Sequence, residues 1–507
     1  MHQSILLFLL FASLSAMCQE KQAPTINWEM QELVRCGQAG NISVLTDRQN
    51  FAGRVRFELL DIINNEVIGV KELDLHKLQL SGQYEAAFYW QDKFTVLTSL
   101  YYPGPQRNHL ILRQYSLPDF EEVYSEIIDE AYTPNRFRIP FGYSLSPDSS
   151  KIVFYSWSYA LKEGSARIVT KVMDQNLKPL WQEKYIMPYD NRKLYVYNCL
   201  LDNAGQVYLL CEYYEGKLNS DGAINQDKIK HFLLRLEKGA NNMRQYALNL
   251  ENQSISYPTF KMDDHGKVYG AAFLKKRSRS KIEGLVLVDI DAASGDLHQK
   301  IIPISDELYD QAYANGGKEK FLNPQRFSFR FYEPDHLHFN EDGSLVIVAE
   351  QRPIIDDFRD PVQNNDILAI KINAEKQLDW MIRVPKRQNA YEAGISLLGY
   401  GMQAINDTLF LFYNDEKHNY NQNRDEIVLQ TFEPYNLKQP IAVMATLYPD
   451  GHYLETLLLP AKNSPKTMHM LPQKVWKKSA RELLLYCEMV SGVKVFGFLY
   501  PLRPLGR

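Results

Sequence analysis

Along most of the chain, short apolar runs alternate with polar turns at a nearly constant interval. NISVLTD from Asn41, DKFTVLTSLYY from Asp92, DSSKIVFYSWSY from Asp148 and DNAGQVYLLCEYY from Asp202 are versions of one segment. DDHGKVYGAAF from Asp263, DGSLVIVAEQ from Asp342, NDTLFLFYND from Asn406 and ARELLLYCEM from Ala480 continue the series. Asp and Asn suit the turns because their side chains bond nearby backbone, and Gly supplies positive φ. The apolar stretches, rich in Val, Ile, Phe and Tyr, read as strands.

A second pattern follows each of the first seven segments. In ARIVTKVMDQNLKPLWQEKYIMP, GLVLVDIDAASGDLHQKIIPI and DILAIKINAEKQLDWMIRVP, two alternating runs flank a tight turn, which predicts a β-hairpin. A shorter strand before each first segment, as in FGYSLSP and VYNCLLD, brings every unit to four antiparallel strands. Four-stranded units recurring every roughly 50 to 80 residues predict the blades of a propeller. The expectation is therefore an all-β chain: a single β-propeller of seven or eight four-stranded blades over residues 19–507.

The chain ends suggest how the ring closes. The last unit stops after VKVFGFLYPL, at its third strand. TINWEMQELV near the N-terminus places Trp28 as Trp181 and Trp380 are placed in PLWQEKYI and LDWMIRV. This predicts that the N-terminal strand supplies the outer strand of the final blade and removes a free edge. DELYDQAYANGGKEKFLN, from Asp306 to Asn323, reads as a helical insertion between the fifth and sixth blades. Residues LSPDSSKIVFY, through Pro147 and Asp148, resemble the WD40-like repeat of TolB-type propellers. That resemblance implies the architecture and leaves the activity open, because propellers serve hydrolases, lyases, receptors and scaffolds.

Charge and composition narrow the classes. With 57 basic and 61 acidic residues in 507, the net charge of −4 gives no field that would favour nucleic acid or an anionic membrane. The apolar run from Ile5 to Ala16 is short for a transmembrane span and suits a signal peptide over residues 1–18, cleaved before Gln19. A lipid anchor at Cys18 is the rival, although Met17 is large for a lipobox. No later segment reads as a transmembrane span, so the expected location is extracytoplasmic: periplasmic, at the cell surface or secreted. Cys36, Cys199, Cys211 and Cys487 are too few for a disulfide framework in so long a chain and read as buried, unpaired residues.

The turns between first and second strands are short and repetitive, whereas the loops after the second strands are long and varied. Unequal loops on one face of a regular scaffold are where function resides. Those loops carry Tyr101, Tyr102, Trp157, Tyr159, Tyr213, Tyr214, Tyr413 and Tyr420, the candidate contacts for a glycan or protein. Taken singly, each of these also suits packing between blades. The basic run Lys275, Lys276, Arg277, Arg279 and Lys281 reads as a solvated charge network facing Asp356, Asp357 and Asp360 of the next blade.

NSDGAIN from Asn219 has lysines, Lys217 and Lys228, where a calcium loop needs carboxylates, and reads as a glycine turn. His336 and His338 share a strand face without a companion ligand, so no metal or cofactor is expected. No catalytic motif of the H-E-x-x-H, G-x-S-x-G or P-loop type is present. The sequence thus favours a non-catalytic exported binding or scaffold protein that contacts a protein or glycan at the cell envelope through its long-loop face. The alternative is a propeller enzyme, a glycoside hydrolase or lyase, acting on an extracellular polymer. Carboxylates converging beside a hydrogen-bonded base would favour the enzyme.

Overall fold

A computed structural model describes residues 28–499 apart from segments within the connections, the longest spanning 316–328. The signal-peptide region lies outside the described residues. Seven four-stranded antiparallel blades stand in a propeller ring, followed by an eighth sheet of three strands. Blade 1 comprises Trp28–Arg35, Asn41–Asp47, Arg54–Asp61 and Glu66–Asp74, and blade 2 runs from Ser81 to Tyr132. Blade 3 spans Phe141–Asp190, blade 4 Leu194–Ala247, blade 5 Ser254–Pro303, blade 6 Tyr332–Val384 and blade 7 Gly401–Leu459. The three-stranded sheet holds Met468–Ser479, Glu482–Met489 and Lys494–Leu499.

The strands of a blade pair antiparallel with their neighbours in the chain, with two departures. The first strand of blade 5 comes in two pieces, and Val362–Asn364, between the second and third strands of blade 6, pairs with Gln388–Ala390. First strands of successive blades lie beside one another, as Phe141–Leu145 does with Leu194–Leu201 and Thr259–Met262 with Tyr332–Phe339. They are the inner strands of the ring, and the fourth strands form its rim.

One expectation is overturned. Trp28–Arg35 pairs in register with Asn41–Asp47, from Trp28 opposite Asp47 to Arg35 opposite Asn41. It is therefore the inner strand of the first blade and does not complete the last. The match of Trp28 to Trp181 and Trp380 misled because the latter two stand on fourth strands. There each indole reaches into the next blade. Trp181 Nε1 donates to the carbonyl of Gly205 at 3.1 Å, and Trp380 Nε1 to that of Pro449 at 3.0 Å.

The repeated turns form as their composition dictates. Asp202 Oδ1 accepts the amide of Gln206 at 2.7 Å, and Asp263 Oδ1 accepts those of His265 and Lys267, both at 2.9 Å. Gly205 and Gly266, at φ of +93° and +82°, occupy the left-handed position that closes these turns. Neighbouring turns also bond one another: Lys151 Nζ donates to the carbonyl of Asn203 at 2.7 Å. This face of the ring is consequently short, repetitive and internally bonded.

The apolar core is divided by interface. One buried cluster joins blades 1 and 2 around Phe57 and Phe94, and another joins blades 2 and 3 around Trp90 and Phe154. Further clusters bind blades 3 to 4, 4 to 5, 5 to 6 and 6 to 7, and a last one binds blade 7 to the three-stranded sheet. Each strand buries alternate side chains on opposite faces, so each blade is sandwiched between two such clusters. The expected helix forms over Asp306–Asn315, between blades 5 and 6, and packs against Leu378–Val384. Its acidic start, Asp306 and Glu307, complements the positive N-terminal end of the helix dipole. All four described cysteines are buried, and none forms a disulfide with another.

Candidate functional site

On the face of the long loops, the inner strands of blades 4, 5 and 6 are irregular. In blade 4, Val196 pairs with Cys211 and Asn198 with Leu210, so Tyr197 is extruded as a bulge. In blade 5, Pro258 has no amide to give the ladder, and the strand splits into Ser254–Ile255 and Thr259–Met262. Tyr257 stands in the gap with 38% of its surface exposed. In blade 6, a bulge at Asp335 follows Pro334. Bulges re-aim side chains, and these three set unusual residues at the inner ends of adjacent blades. Blades 1 and 2 carry bulges as well, at Gln31 and Glu85, so it is the chemistry around the bulge that marks a site.

Two polar clusters meet here. The first lies at blades 4 and 5. The rings of Tyr197, His231 and Tyr257 stand edge to face: His231 and Tyr257 at 5.4 Å, Tyr197 and Tyr257 at 6.2 Å, Tyr197 and His231 at 6.4 Å. Glu212 is the cross-strand partner of His231 and of Tyr195. Burial, then the charge of Lys275, holds the His231 imidazole neutral with a pKa lowered to about 4. Burial raises Glu212, and burial with the charges of Glu212 and Glu333 raises Tyr257 to about 12. Lys275 is only 6% exposed, and burial lowers its pKa against the opposing pull of Glu333. The Tyr197 hydroxyl is buried without a hydrogen-bond partner among the described residues.

The second cluster fills the adjoining end of blade 6. Arg352 grips Asp335 through two bonds, of 2.7 and 3.0 Å, and donates through Nε to Glu350 at 3.0 Å. The other oxygen of Glu350 receives Lys386 Nζ at 2.6 Å, and both side chains are fully buried. Lys386 also donates to the Asn364 carbonyl and to Gln388, each at 3.1 Å. Asp366 receives Arg383 at 2.6 Å and the Lys386 amide at 3.2 Å. Tyr400 stands against Asp335, and its ring meets that of His336 at 5.6 Å. Burial raises Asp335 to about 7 even beside Arg352, a cation it shares with Glu350 and Glu333. These carboxylates are occupied by cations, and their geometry is that of a structural lattice.

The loop-face aromatic residues picked from the sequence fall into separate places among the described residues, Trp157 with Tyr213 in one interface cluster and Tyr413 with Tyr420 in another. Tyr101 and Tyr102 are half-buried in blade 2, with Tyr102 4.4 Å from the ring of His109. Trp157 is buried between Tyr155 and Tyr195, each 6.0 Å away. Tyr213 packs on Tyr189 at 4.7 Å, and Tyr214 is buried. In blade 7, Tyr413 is wholly buried and donates to Glu455 at 3.0 Å, while half-buried Tyr420 accepts the Leu457 amide at 3.1 Å. Tyr159 lies outside the described residues. Tyr413 and Trp157 thus serve the interfaces between blades.

Other expectations resolve similarly. In the basic run, Lys276 and Arg277 are exposed and Lys281 pairs with Asp306 of the helix, but Lys275 is buried at the end of its strand. Asp356, Asp357 and Asp360 lie outside the described residues, as does the segment Asn219–Asn225. Among the described residues, no group of three or more His, Cys, Asp or Glu side chains is placed to hold a metal ion. No helix among them is long and apolar enough to cross a membrane.

Sequence reading missed Tyr197, Glu212, His231, Tyr257 and Glu333. One signal was available for Tyr257: a proline directly after it, inside an otherwise regular inner strand.

No protein-family model matches the chain, and no curated protein does. Solved structures align with the chain only distantly. A polysaccharide lyase of family PL25, an ulvan lyase bound to -[GlcA(1-4)Rha3S]-, aligns at 8% identity and a TM-score of 0.36, over 82% of this chain and 91% of that one. The Synechocystis apocarotenoid oxygenase, as a Glu-to-Asp mutant, aligns at 11% identity and a TM-score of 0.34, over 70% of each chain. A Bacteroides caccae protein of unknown function aligns at 9% identity and a TM-score of 0.29, over 65% of this chain and 89% of that one. Likeness at this level carries no activity across to the chain.

Proposed function

We propose that this chain is an exported binding propeller that holds a glycan at the inner ends of blades 4 to 6, on its long-loop face. One observation carries the reading. At blades 4 and 5, Glu212, the Lys275 amine and the Tyr197 hydroxyl make no hydrogen bond among the described residues, and the exposed ring of Tyr257 stands beside them. Sugars are recognised by this combination, with hydroxyl groups bonded by side chains and a pyranose face laid on an aromatic ring. A protein ligand would be expected to need a broad apolar patch, and the exposed large apolar residues are instead scattered over several blades.

The enzyme reading has one observation in its favour. A neutral imidazole, His231, meets the Tyr257 ring edge to face and stands opposite Glu212 on the paired strand, and the charges of Glu212 and Glu333, two carboxyl groups raised by burial, both act on Tyr257. Both readings are tested by one experiment. The chain from Gln19 is incubated with cell-envelope and extracellular polysaccharides, and saturable binding and new chain ends are measured together. Binding without new ends is expected. New ends that vanish in His231→Ala would establish the enzyme, and neither binding nor cleavage would overturn the proposal.

A further inference from the structure

The unpaired groups at blades 4 and 5 also specify what kind of sugar fits, an inference that rests on the glycan-binding reading above. Glu212 receives no hydrogen bond among the described residues; burial alone moves its carboxyl. Lys275, nine-tenths buried, likewise bonds nothing among them, and only the charge of Glu333 opposes its burial. The Tyr197 hydroxyl has no partner either. A polar group left unpaired in a buried setting is unfavourable, more so when charged, so the set gains from a ligand that completes it.

The charge balance selects the ligand. Lys275 is offset by Glu333, and the cations of blade 6, Arg352 and Lys386, are consumed by Asp335 and Glu350. That leaves Glu212 as the uncommitted charge. An anionic sugar would be opposed by Glu212, and the cation of the set, Lys275, is already offset by the charge of Glu333. A neutral ring offers what each group lacks. Adjacent hydroxyls can donate to the two oxygens of Glu212, and hydroxyl oxygens can accept from Lys275 and Tyr197. The Tyr257 ring, held out by the break at Pro258, gives the ring face a surface to lie on.

We propose that Tyr197, Glu212, Tyr257 and Lys275 form a subsite for a neutral pyranose carrying vicinal hydroxyls, Glu212 accepting and Lys275 donating, with Tyr257 as the stacking platform.

The test is calorimetric titration of the mature chain with short cello-, laminari-, malto- and xylo-oligosaccharides, beside uronate and sulfated oligosaccharides. At least one neutral series is expected to bind, with affinity about tenfold weaker in Glu212→Gln and in Tyr257→Ala. Melting curves establish that each variant is folded, and Ile186→Ala, at an exposed position on the rim of blade 3, serves as a control that retains the affinity. Binding of uronate or sulfated probes in place of neutral ones overturns the ligand class and leaves glycan binding standing. Binding of neutral probes unaffected by Glu212→Gln and Tyr257→Ala overturns the placement. Binding of no glycan at all overturns both this inference and the reading beneath it.

Discussion

The two polar clusters on the long-loop face are neighbours of similar composition and opposite state. At blade 6 the carboxylates of Glu350, Asp335 and Asp366 each receive at least two hydrogen bonds. At blades 4 and 5, Glu212, Lys275 and the Tyr197 hydroxyl bond nothing among the described residues. A filled network fixes a structure, because removing any member leaves a buried charge behind. An unfilled one gains by taking a partner. The convergence of carboxylates, which from sequence pointed to an enzyme, therefore belongs in blade 6 to the scaffold.

The largest break in this comparison should come from Lys386→Ala. It strands the buried Glu350 carboxylate, and a loss of about 3–5 kcal/mol is expected in denaturant titration. The double variant Lys386→Met with Glu350→Gln should regain most of it, since both ends of the pair are removed together.

Acid should act next in size. Burial holds His231, His336 and His469 at about 4. In the unfolded chain the same groups titrate near 6.5. Between those values the unfolded chain binds protons that the folded chain refuses, so stability falls as pH drops from about 6.5 towards 4. Asp335 works the other way. Raised to about 7, it favours the folded chain at low pH and gives up that contribution as pH rises through 7. Glu212 and Glu333, also raised by burial, act in the same direction as Asp335 and reduce the effect of the three histidines. A net loss in acid is expected, and melting temperatures across that range check it. A flat profile would mean these histidines are solvated.

Smaller effects sharpen the contrast. Trp181→Phe removes the bond from blade 3 to the Gly205 carbonyl of blade 4 and should cost about 1 kcal/mol. Tyr257→Phe should change stability by less than about 0.5 kcal/mol, as for a surface group outside the packing. A loss above that would place Tyr257 in the scaffold with blade 6.

The sequence reading succeeded where structure follows local rules and failed where it follows neighbours. Asp202 and Asp263 could be read as turn residues because their bonds are to backbone a few residues away. The helix at Asp306 and the four-strand period were legible for the same reason. For Tyr413 and Trp157 the sequence left loop-face contact and packing between blades both open, because a strand end beside a long loop looks exposed in one dimension, while the adjacent blade buries it in three. Lys275 was misread as part of a solvated run; its strand continues through it, and blade packing covers the amine. The Trp28 comparison matched a residue type without its position in the blade. The site itself depends on side chains from strands tens of residues apart, such as Glu212 and Glu333, which no spacing rule connects.

The division of the apolar core into one cluster per interface has a consequence for how the molecule comes apart. A single blade excised from the chain would expose both its greasy faces and have no interior of its own. Cooperativity must therefore pass from blade to blade like coupling along a row of magnets, each neighbour fixing the next. Damage at one interface should loosen two blades and spare the far side of the ring. Amide exchange would then report a map of seams, with protection lost in adjacent pairs of blades and never in one blade alone.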